Sequence, residues 1–412
     1  MQAEIVAIGT ELLLGEIVDT NSAWIAKRLT TIGLDLYYTT TVGDNLGRIA
    51  DALRRGLARS NVVITTGGLG PTVDDVTRQA VAEATDRELV LDQELVQEIS
   101  RYFARRGHRM TENNRKQAHL PEGARVIHNP VGTAPAFAVD HNGHVVICLP
   151  GVPHEMRYLM EHEVLPYLRE RYGLRGVIKS RTLRTCGIGE STVDSRIGDL
   201  MRLSNPTVGT RAHPGQTDVR VTAKADSQAE ADALIAPVEA ELRARLGEVI
   251  FGVDQETMAD VVIRLLTERG LCLALVETVT RGELAQRLSA AARGGQAFAG
   301  SMVLGNAEAL YRVLGVPAGL VSEDSFPSQD VADAAARAVR RLQGADVGLA
   351  VVGPSDPAAA DAPPVYFSLA IGDRLVQGRS HQGRAGPAGR GWLMHLALDM
   401  VRRELLGLGG NQ

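Results

Sequence analysis

The first 170 or so residues alternate between short apolar runs and amphipathic stretches. Apolar and β-branched runs predict buried strands, while apolar residues spaced three and four apart predict helices. The predicted strands are 4–9, 36–43 and 61–66, and the predicted helices start near 21, 45 and 74, with a long one at 153–172. This alternating order predicts a parallel sheet with helices on both of its faces.

Short-range signals predict where several of these elements begin and turn. Asn21 is a residue type favoured at a helix N-cap, and Gly33 is suited to ending the same helix. Between them lies an apolar stripe formed by Trp24, Ile25, Leu29 and Ile32. Asn142 and Gly143 separate two apolar segments and predict a tight hairpin turn, because both residue types tolerate positive φ.

The pattern changes after residue 172 and predicts two more domains. Residues 177–250 contain a strand at 180–186, a helix opening at "GIGES", two further strands and a helix at 227–246. From 255 to 412 helices and strands alternate again, and the Ala/Pro-rich stretch 353–364 is predicted to be a loop. The predicted domains are 1–172, 177–250 and 255–412.

Composition and charge exclude several classes of function. A net charge of -5 and a pI near 6.1 argue against nucleic acid or an anionic membrane surface as a partner. No apolar run approaches the roughly 18 to 20 residues of a membrane span, and "MQAEIVAIGTELLLG" predicts a first strand rather than a signal peptide. The cysteines (Cys148, Cys186 and Cys272) are odd in number and widely spaced, which predicts a reducing compartment. We expect a cytoplasmic protein.

The most informative stretch is "TTGGLGPTVDDVT", residues 65–77, in which three glycines precede two aspartates. Gly67, Gly68 and Gly70 follow a predicted strand and precede a predicted helix, which is where open α/β sheets bind ligands. Glycines at such a place let the backbone approach phosphate closely. The stretch is neither a Walker A loop nor GxGxxG, so the glycine spacing alone does not identify the ligand.

Asp74 and Asp75 allow two interpretations. Aspartates at the start of a helix cap its free N–H groups and complement its dipole. Beside a phosphate, however, a carboxylate at about 4 Å costs on the order of 4 kcal/mol at an effective dielectric near 20. A divalent cation between the two removes that conflict and could activate water. Helix capping and metal-assisted attack on a phosphate both stay open at this point.

Polar side chains from neighbouring strand ends are expected at the same rim of the sheet. Thr10 and Glu11 follow the first strand, Asp44 follows the second, and Asp19 and Asn21 open the first helix. Each could separately be a helix cap. Because parallel strands bring their carboxyl ends to one edge, we expect these groups to converge near the glycine loop.

Four segments together resemble the CinA family of competence/damage-inducible proteins. They are "AIGTELLLGEIVDTNSAWIAKRL", "TTGGLGPTVDDVT", "ENNRKQAHLPEGARVIHNPVGTAPAF" and "LPGVPHEM". The resemblance implies an α/β protein with a three-layer molybdopterin-binding-like first domain, a small α+β KH-like middle domain and an α/β deamidase-like C-terminal domain. It also implies hydrolysis of ADP-ribose to AMP and ribose 5-phosphate with a divalent metal (magnesium or cobalt), potassium as a further cation, and a homodimer. The middle domain lacks the GxxG loop and basic surroundings of an RNA-binding unit, which argues against RNA.

The same resemblance assigns roles to individual residues. Asp44, Asp75 and Glu155 are the catalytic candidates, although Glu155 could equally be an ordinary first-turn glutamate. Asp44, Asp74 and Asp75 are the metal candidates. The residues expected to bind the pyrophosphate and the nucleotide are Thr10, Glu11, Asn21, Gly67, Gly68, Leu69, Gly70, Thr72, Lys116, Asn129 and Gly132.

The third domain departs from the family where its deamidase chemistry should lie. The family's A-E-S-C-T-G-G motif is "VETVTRG" in this chain, with Thr278 at the serine position and Arg281 at a glycine position. Gly305 and Leu310 replace the tyrosine and lysine of the segment that should supply the base. The degenerate site consists of Glu277, Thr278 and Thr280. We expect Thr278 to cap a helix, the nicotinamide mononucleotide deamidase activity to be lost, and the domain to be structural or to serve dimerisation.

Two other functions fit the same sequence. The first domain could bind molybdopterin, or an adenylylated form of it, without hydrolysis, and the chain could be an interaction protein in competence or DNA repair. The segments "LPGVPHEM" and "NPVGTAP" favour the hydrolase over the binding module, and the acidic charge balance argues against DNA contact. The leading prediction is an enzyme that acts on a small nucleotide.

Overall fold

The computed structural model describes residues 1–292, 295–321, 326–354, 362–381 and 386–409. These residues form two compact units, one made of 1–179 with 223–233, the other of 180–222 with the described residues from 234 onwards. Of the predicted loop at 353–364, residues 355–361 lie outside the described residues. The rest of that stretch is neither helix nor strand, as predicted.

The first unit contains a sheet with helices on both faces, as the alternating pattern predicts. Its strands are β1 (Gln2–Ile8), β2 (Asp35–Val42), β3 (Val62–Thr66), β4 (Leu89–Leu91), β5 (His119–Pro121), β6 (Arg125–Ile127), β7 (Ala136–His141) and β8 (His144–Leu149). Its helices are α1 (Thr10–Leu13), α2 (Thr20–Leu29), α3 (Leu46–Arg59), α4 (Thr77–Ala84), α5 (Gln93–Ala104), α6 (Glu112–Arg115), α7 (Pro153–Leu159) and α8 (Leu165–Tyr172). A π-helical turn, Met160–Val164, joins α7 to α8, so the long helix predicted at 153–172 contains one widened turn.

The order of strands determines which strand ends meet. The main sheet has the order β2-β1-β3-β8-β7-β6, in which β2, β1, β3 and β8 are parallel while β7 and β6 are antiparallel. Because successive strand residues face opposite sides, Val6 and Val63 pack with α3, whereas Ile5 and Ile64 pack with α2 and α7. The carboxyl ends of β2, β1, β3 and β8 therefore form one continuous rim. The predicted hairpin at residues 142–143 joins β7 to β8.

The middle region contains β9 (Val177–Cys186), α9 (Glu190–Ile197), β10 (Thr207–His213), β11 (Gln216–Ala225), α10 (Gln228–Leu246) and β12 (Ile250–Val253). Its strands form a sheet of order β10-β11-β9-β12. The pairing of β12 with β9 extends this sheet to Val253, beyond the predicted end of the domain at 250. The apolar segment "IFGV" at 250–253 forms that edge strand.

The third region again alternates helices and strands. It contains α11 (Met258–Glu268), β13 (Leu273–Glu277), α12 (Glu283–Ala292), β14 (Phe298–Val303), α13 (Ala307–Leu314), α14 (Gln329–Leu342), β15 (Val347–Val352), β16 (Val365–Ile371), β17 (Arg374–Ser380) and α15 (Gly386–Leu406). The sheet order is β14-β13-β15-β16-β17, with apolar cores on both faces. Cys148, Cys186 and Cys272 are free. Within the described ranges, no helix has the length and apolar character needed to cross a bilayer.

Candidate active site

The glycine loop, residues 67–76, connects the end of β3 to α4. The Gly67 N–H donates to the Leu149 carbonyl (3.1 Å), which places the start of the loop against the end of β8. Gly67 has a φ of 112°, and a Cβ at this position would clash with the Ile8 carbonyl at the end of β1. Only glycine fits where these strand ends converge, so the loop lies at the rim as predicted.

Asp75 closes the loop rather than capping a helix. The helix α4 begins at Thr77, its N-cap is Val76, and no side chain caps it, so the predicted start near Asp74 is wrong. Asp75 Oδ2 accepts hydrogen bonds from the Thr72 N–H (2.8 Å) and from the Thr72 hydroxyl. The neighbouring Thr72 also holds the pKa of the exposed Asp74 carboxyl below its ordinary value. The capping interpretation fails because the chain turns through both aspartates before α4 begins.

Thr10 and Asp44 join the end of β1 to the end of β2. The Thr10 N–H and hydroxyl both donate to Asp44 Oδ2 at 2.8 Å, and the Asp44 N–H donates to the Thr10 hydroxyl oxygen at 3.1 Å. The Thr10 hydroxyl therefore holds the Asp44 carboxylate in place at the rim. Glu11 folds back so that its carboxylate covers Gly9, where a Cβ would clash with it.

Asn21 lies at the rim but does not cap α2. Asp19 is the N-cap and accepts from the Ser22 N–H (2.9 Å), so the predicted cap is wrong. Asn21 Nδ2 instead donates to the Thr66 hydroxyl (3.0 Å) and to the Gly151 carbonyl (2.8 Å), which ties the end of β3 to the loop after β8. Asn21 Oδ1 is buried and accepts no hydrogen bond from the described residues. This oxygen is an available acceptor at the rim.

Glu155, in the first turn of α7, contacts the segment "NPVGTAP". Asn129 Nδ2 donates to Glu155 Oε2 (2.6 Å) and to the Ala134 carbonyl (2.9 Å). Gly132 packs against the same carboxylate, and a Cβ there would clash with it. Burial raises the pKa of the Glu155 carboxyl, and the Asn129 hydrogen bond and His154 oppose this effect. Glu155 therefore keeps its proton to a higher pH than an ordinary glutamate, which suits a general acid or base.

Arg78 is a buried charge beneath the loop that the sequence analysis did not single out. It is 1% exposed, and its guanidinium donates to the carbonyls of Leu69 and Gly70. Gln117 Nε2 donates to the same Leu69 carbonyl (3.3 Å). Burial lowers the pKa of Arg78 to about 10, while Asp75 opposes the shift. An arginine on the apolar face of a helix is the signal that would have identified it.

Lys116 reaches the outer part of the loop from the segment after α6. Its Nζ donates to the carbonyls of Thr72 (2.7 Å) and Val73 (3.4 Å). Burial lowers the pKa of Lys116, with Asp75 as the strongest opposing charge. Leu69, by contrast, is 1% exposed and packs in the core, so only its backbone can face a ligand.

In the part of the chain that the structure describes, no three His, Cys, Asp or Glu side chains are grouped so as to hold a metal ion. Asp44, Asp74 and Asp75 therefore do not form a three-carboxylate site. Asp74 and Asp75 together still fit a magnesium-type ion, because such an ion commonly takes one or two carboxylates and fills its shell with substrate phosphates and water. These hard oxygen donors lie on the same loop as the glycines.

The degenerate site of the third region lies at the end of β13. Glu277 is fully buried, and its carboxylate accepts from the Thr280 hydroxyl and from the Ala285 N–H (3.1 Å) in the first turn of α12. The Thr278 hydroxyl donates to the Gly353 carbonyl (3.3 Å) and accepts from the Gly353 N–H (2.9 Å). Thr278 therefore does not cap a helix, contrary to the prediction. Glu277, rather than Thr278, accepts the hydrogen bond from the Ala285 N–H in the first turn of α12.

Comparison with known protein families assigns each region of the chain. Residues 4–170 match a domain described as "Probable molybdopterin binding domain", residues 180–252 match "Damage-inducible protein CinA KH domain", and residues 255–405 match "CinA C-terminal domain". The chain is thus a mixed α/β protein with a molybdopterin-binding-type first domain, a KH-like middle domain and a CinA-type C-terminal domain.

Individual relatives align along almost the whole chain. A protein of Symbiobacterium thermophilum, named for competence-damage induction, is 42% identical over 432 residues and 99% of each chain. A CinA-like protein of Dictyoglomus thermophilum is 38% identical over 413 residues, covering 99% of this chain and 100% of its own. The crystal structure of the protein CinA from Thermoplasma acidophilum is 36% identical, covers 40% of this chain and 96% of that one, and superposes with a TM-score of 0.38.

Proposed function

Because this chain belongs to the CinA family, we propose that its first domain is a metal-dependent pyrophosphatase. The substrate is ADP-ribose, or a related nucleoside-diphosphate sugar, and the products are AMP and ribose 5-phosphate. Water adds to one phosphorus atom, the P–O bond to the bridging oxygen breaks, and that oxygen leaves on the other phosphate. The observation that carries the proposal is the loop 67–75, where glycine backbone and the Asp75 carboxylate are held together by Thr72.

The loop residues bind and orient the diphosphate. The absence of side chains at Gly67, Gly68 and Gly70 lets the loop pack tightly against Ile8, Thr77 and Asp75, and Lys116 supplies a positive charge beside it. Asp74 and Asp75 would hold a divalent cation, which neutralises phosphate charge and lowers the pKa of a coordinated water.

Glu155 is the proton-transfer group in this proposal. Its Oε2 is fixed by Asn129, and its raised pKa lets it donate a proton to the leaving phosphate or take one from water. A pocket of about 250 Å³ is lined by Asn129 and Gly132, which both contact Glu155, together with Arg101 and Tyr102 of α5. This pocket suits the nucleoside or sugar arm of the substrate, because an aromatic ring and polar groups converge there.

Chromatography of ADP-ribose incubated with the chain and magnesium or cobalt tests this proposal. We expect AMP, and we expect Asp75→Asn to lower its rate of formation by roughly 100-fold or more, since a site carboxylate is lost. Asp51→Asn is the matched control, because this exposed carboxylate pairs with Arg54 on α3, outside the site. Undiminished, metal-independent cleavage by Asp75→Asn contradicts the proposal, as does absence of turnover with any of several ADP-sugars and dinucleotides.

A molybdopterin-binding module is the second candidate for the first domain. It is favoured by the family description matched by residues 4–170. Tight binding of a pterin by the full chain, with no cleavage of any pyrophosphate, would support it over the hydrolase.

We propose further that the third domain has no nicotinamide mononucleotide deamidase activity. The Thr278 hydroxyl donates a hydrogen bond to the Gly353 carbonyl and accepts one from the Gly353 N–H. Val279, at the family's cysteine position, is buried. We expect no ammonia from nicotinamide mononucleotide, and substantial release would contradict this. The family resemblance also supports a homodimer, which light scattering on the full chain tests.

A further inference from the structure

A second cavity lies behind the glycine loop, on the side of α4 and α6. Its volume is about 530 Å³, within the range of small-molecule sites. We call it the α4–α6 pocket and define it by its lining residues, which are Arg78, Gln79, Leu89, Leu91, Glu112, Arg115, Lys116 and His119.

The lining of the α4–α6 pocket is rich in positive charge. Arg78, Arg115 and Lys116 are cations, whereas Glu112 is the single carboxylate in the lining, and none of these four takes part in an ion pair within 4.0 Å among the described residues. Arg54, elsewhere in the unit, does form such a pair, with Glu83. Asp75 offsets part of this charge at Arg78 and Lys116, but Arg115 has no carboxylate partner among the described residues, so the lining keeps positive charge that an anion can neutralise.

Arg78 adds a buried positive charge to the wall of the pocket. Its two terminal nitrogens donate to the glycine loop, but its Nε is buried and makes no hydrogen bond with the described residues. An unpaired N–H on a buried guanidinium is costly, because the group has lost its water and gained no acceptor. Burial lowers the pKa of Arg78, and a bound anion would oppose that shift.

We propose that the α4–α6 pocket binds the phosphate group of a small molecule, with Arg115 as its donor and the charges of Arg78 and Lys116 beside it. Arginine is suited to phosphate because its planar N–H groups match two phosphate oxygens at once. Leu89 and Leu91 form an apolar wall next to the charges, which suits the carbon part of a phosphomonoester. Arg78 bonds to Leu69 and Lys116 bonds to Thr72, so two residues of the pocket lining also contact the glycine loop. Binding there does not require hydrolysis at the loop.

Isothermal titration of the full chain with inorganic phosphate, in metal-free buffer, tests the pocket. We expect saturable binding that Arg115→Glu weakens by roughly tenfold or more, because a charge-assisted donor is replaced by a repelling carboxylate. Arg115→Gln, which removes the charge and keeps the bulk, should weaken binding less. Arg55→Glu is the matched control, since Arg55 is an exposed arginine on α3 outside the pocket, and it should leave binding unchanged.

Three results would overturn the proposal. One is absence of saturable phosphate binding into the millimolar range, and another is unchanged binding in Arg115→Glu whose thermal unfolding matches that of the parent chain. The third is binding that Thr72→Val reduces and Arg115→Glu does not, since the phosphate would then lie at the glycine loop.

Glycerol 2-phosphate distinguishes a phosphate ester from free phosphate as the ligand. Tighter binding of glycerol 2-phosphate than of inorganic phosphate identifies an ester as the ligand, and weaker binding identifies the free ion, both at this pocket.

Discussion

At the scale of single residues, Gly132 packs directly against the Glu155 carboxylate, which leaves no room for a side chain at position 132. We expect Gly132→Ala to lower hydrolysis by about tenfold or more, because its Cβ would clash with Glu155 and displace the carboxyl. The free energy of unfolding should fall by about 1–3 kcal/mol through overpacking. Steady-state assays and urea titration measure the two effects.

Gly305→Ala is the control for this substitution, since a Cβ on Gly305 meets no atom within 4 Å. Full activity in both variants would contradict the prediction, because it would show that hydrolysis does not depend on the space that Gly132 leaves for the Glu155 carboxyl.

Asn129 determines the proton affinity of Glu155. Its amide donates to the carboxylate and stabilises the charged form, in opposition to the burial that raises the pKa of Glu155. Asn129→Leu removes that donor, so the pKa rises further and the limb of the pH–rate profile that belongs to Glu155 moves to higher pH. Glu155→Gln should abolish the limb. A profile that keeps its shape in Asn129→Leu would show that another group carries the proton.

Arg281, which stands at a glycine position of the family motif, has a backbone conformation that favours glycine. Its φ is 54°, in the left-handed region that costs a residue with a Cβ roughly 1–2 kcal/mol. We expect Arg281→Gly to raise the free energy of unfolding by about 1 kcal/mol, offset in part by the greater freedom of glycine in the unfolded chain. Urea unfolding followed by circular dichroism measures this. A destabilised variant would mean that the exposed Arg281 side chain contributes more than the strain costs.

At the scale of elements, the first turn of α12 depends on a carboxylate from the preceding strand. Glu277→Gln should cost about 2 kcal/mol, since hydrogen bonds to a charged acceptor are lost in a fully buried place. Glu283→Gln on the same helix is the control and should cost less than about 1 kcal/mol, because its pair with Arg390 is partly exposed. Equal midpoints of thermal unfolding for the two variants would count against the role of Glu277.

Element boundaries could be predicted where the signal is local. They were harder to predict where a potential capping side chain bonds to a loop instead of to the helix. The hairpin at residues 142–143 and the end of the helix region at Gly33 follow from residue types that tolerate positive φ. The start of α4 was predicted too early, because Asp75 bonds to Thr72 within the loop and leaves Val76 as the N-cap. Capping propensity is real, but a loop N–H competes for the same carboxylate.

At the scale of the whole molecule, the second unit contains a half-buried histidine that links α15 to β11. His395 Nδ1 lies 2.9 Å from the Gly391 carbonyl, and Nε2 lies 3.1 Å from Gln216 Oε1. Burial lowers the pKa of His395, with Arg287 and His213 adding to the shift and the Gly391 carbonyl and Asp399 opposing it. The folded state therefore binds this proton less readily than the unfolded state. Its stability contribution is present above about pH 6.5 and is lost as the pH falls.

We accordingly expect His395→Gln to lose less stability than the parent chain between about pH 7.5 and about pH 5. Urea unfolding at both pH values measures the difference. His108→Gln, at an exposed position, is the control and should follow the parent chain. If His395→Gln shows the same acid dependence as the parent chain, other groups account for it.

What the sequence determined by itself is the order of strands and helices, the glycine loop and the position of polar residues after each strand. These follow from periodicity and from residue types whose preferences act over a few neighbours. What only the tertiary structure decided is which of those groups meet. Asn21 bonds to Gly151, Asn129 to Glu155 and Arg78 to the underside of the loop, and the order β2-β1-β3-β8 brings the strand ends together. Contacts between residues far apart in the chain cannot be predicted from its periodicity, because they depend on sheet order and on the packing of each helix.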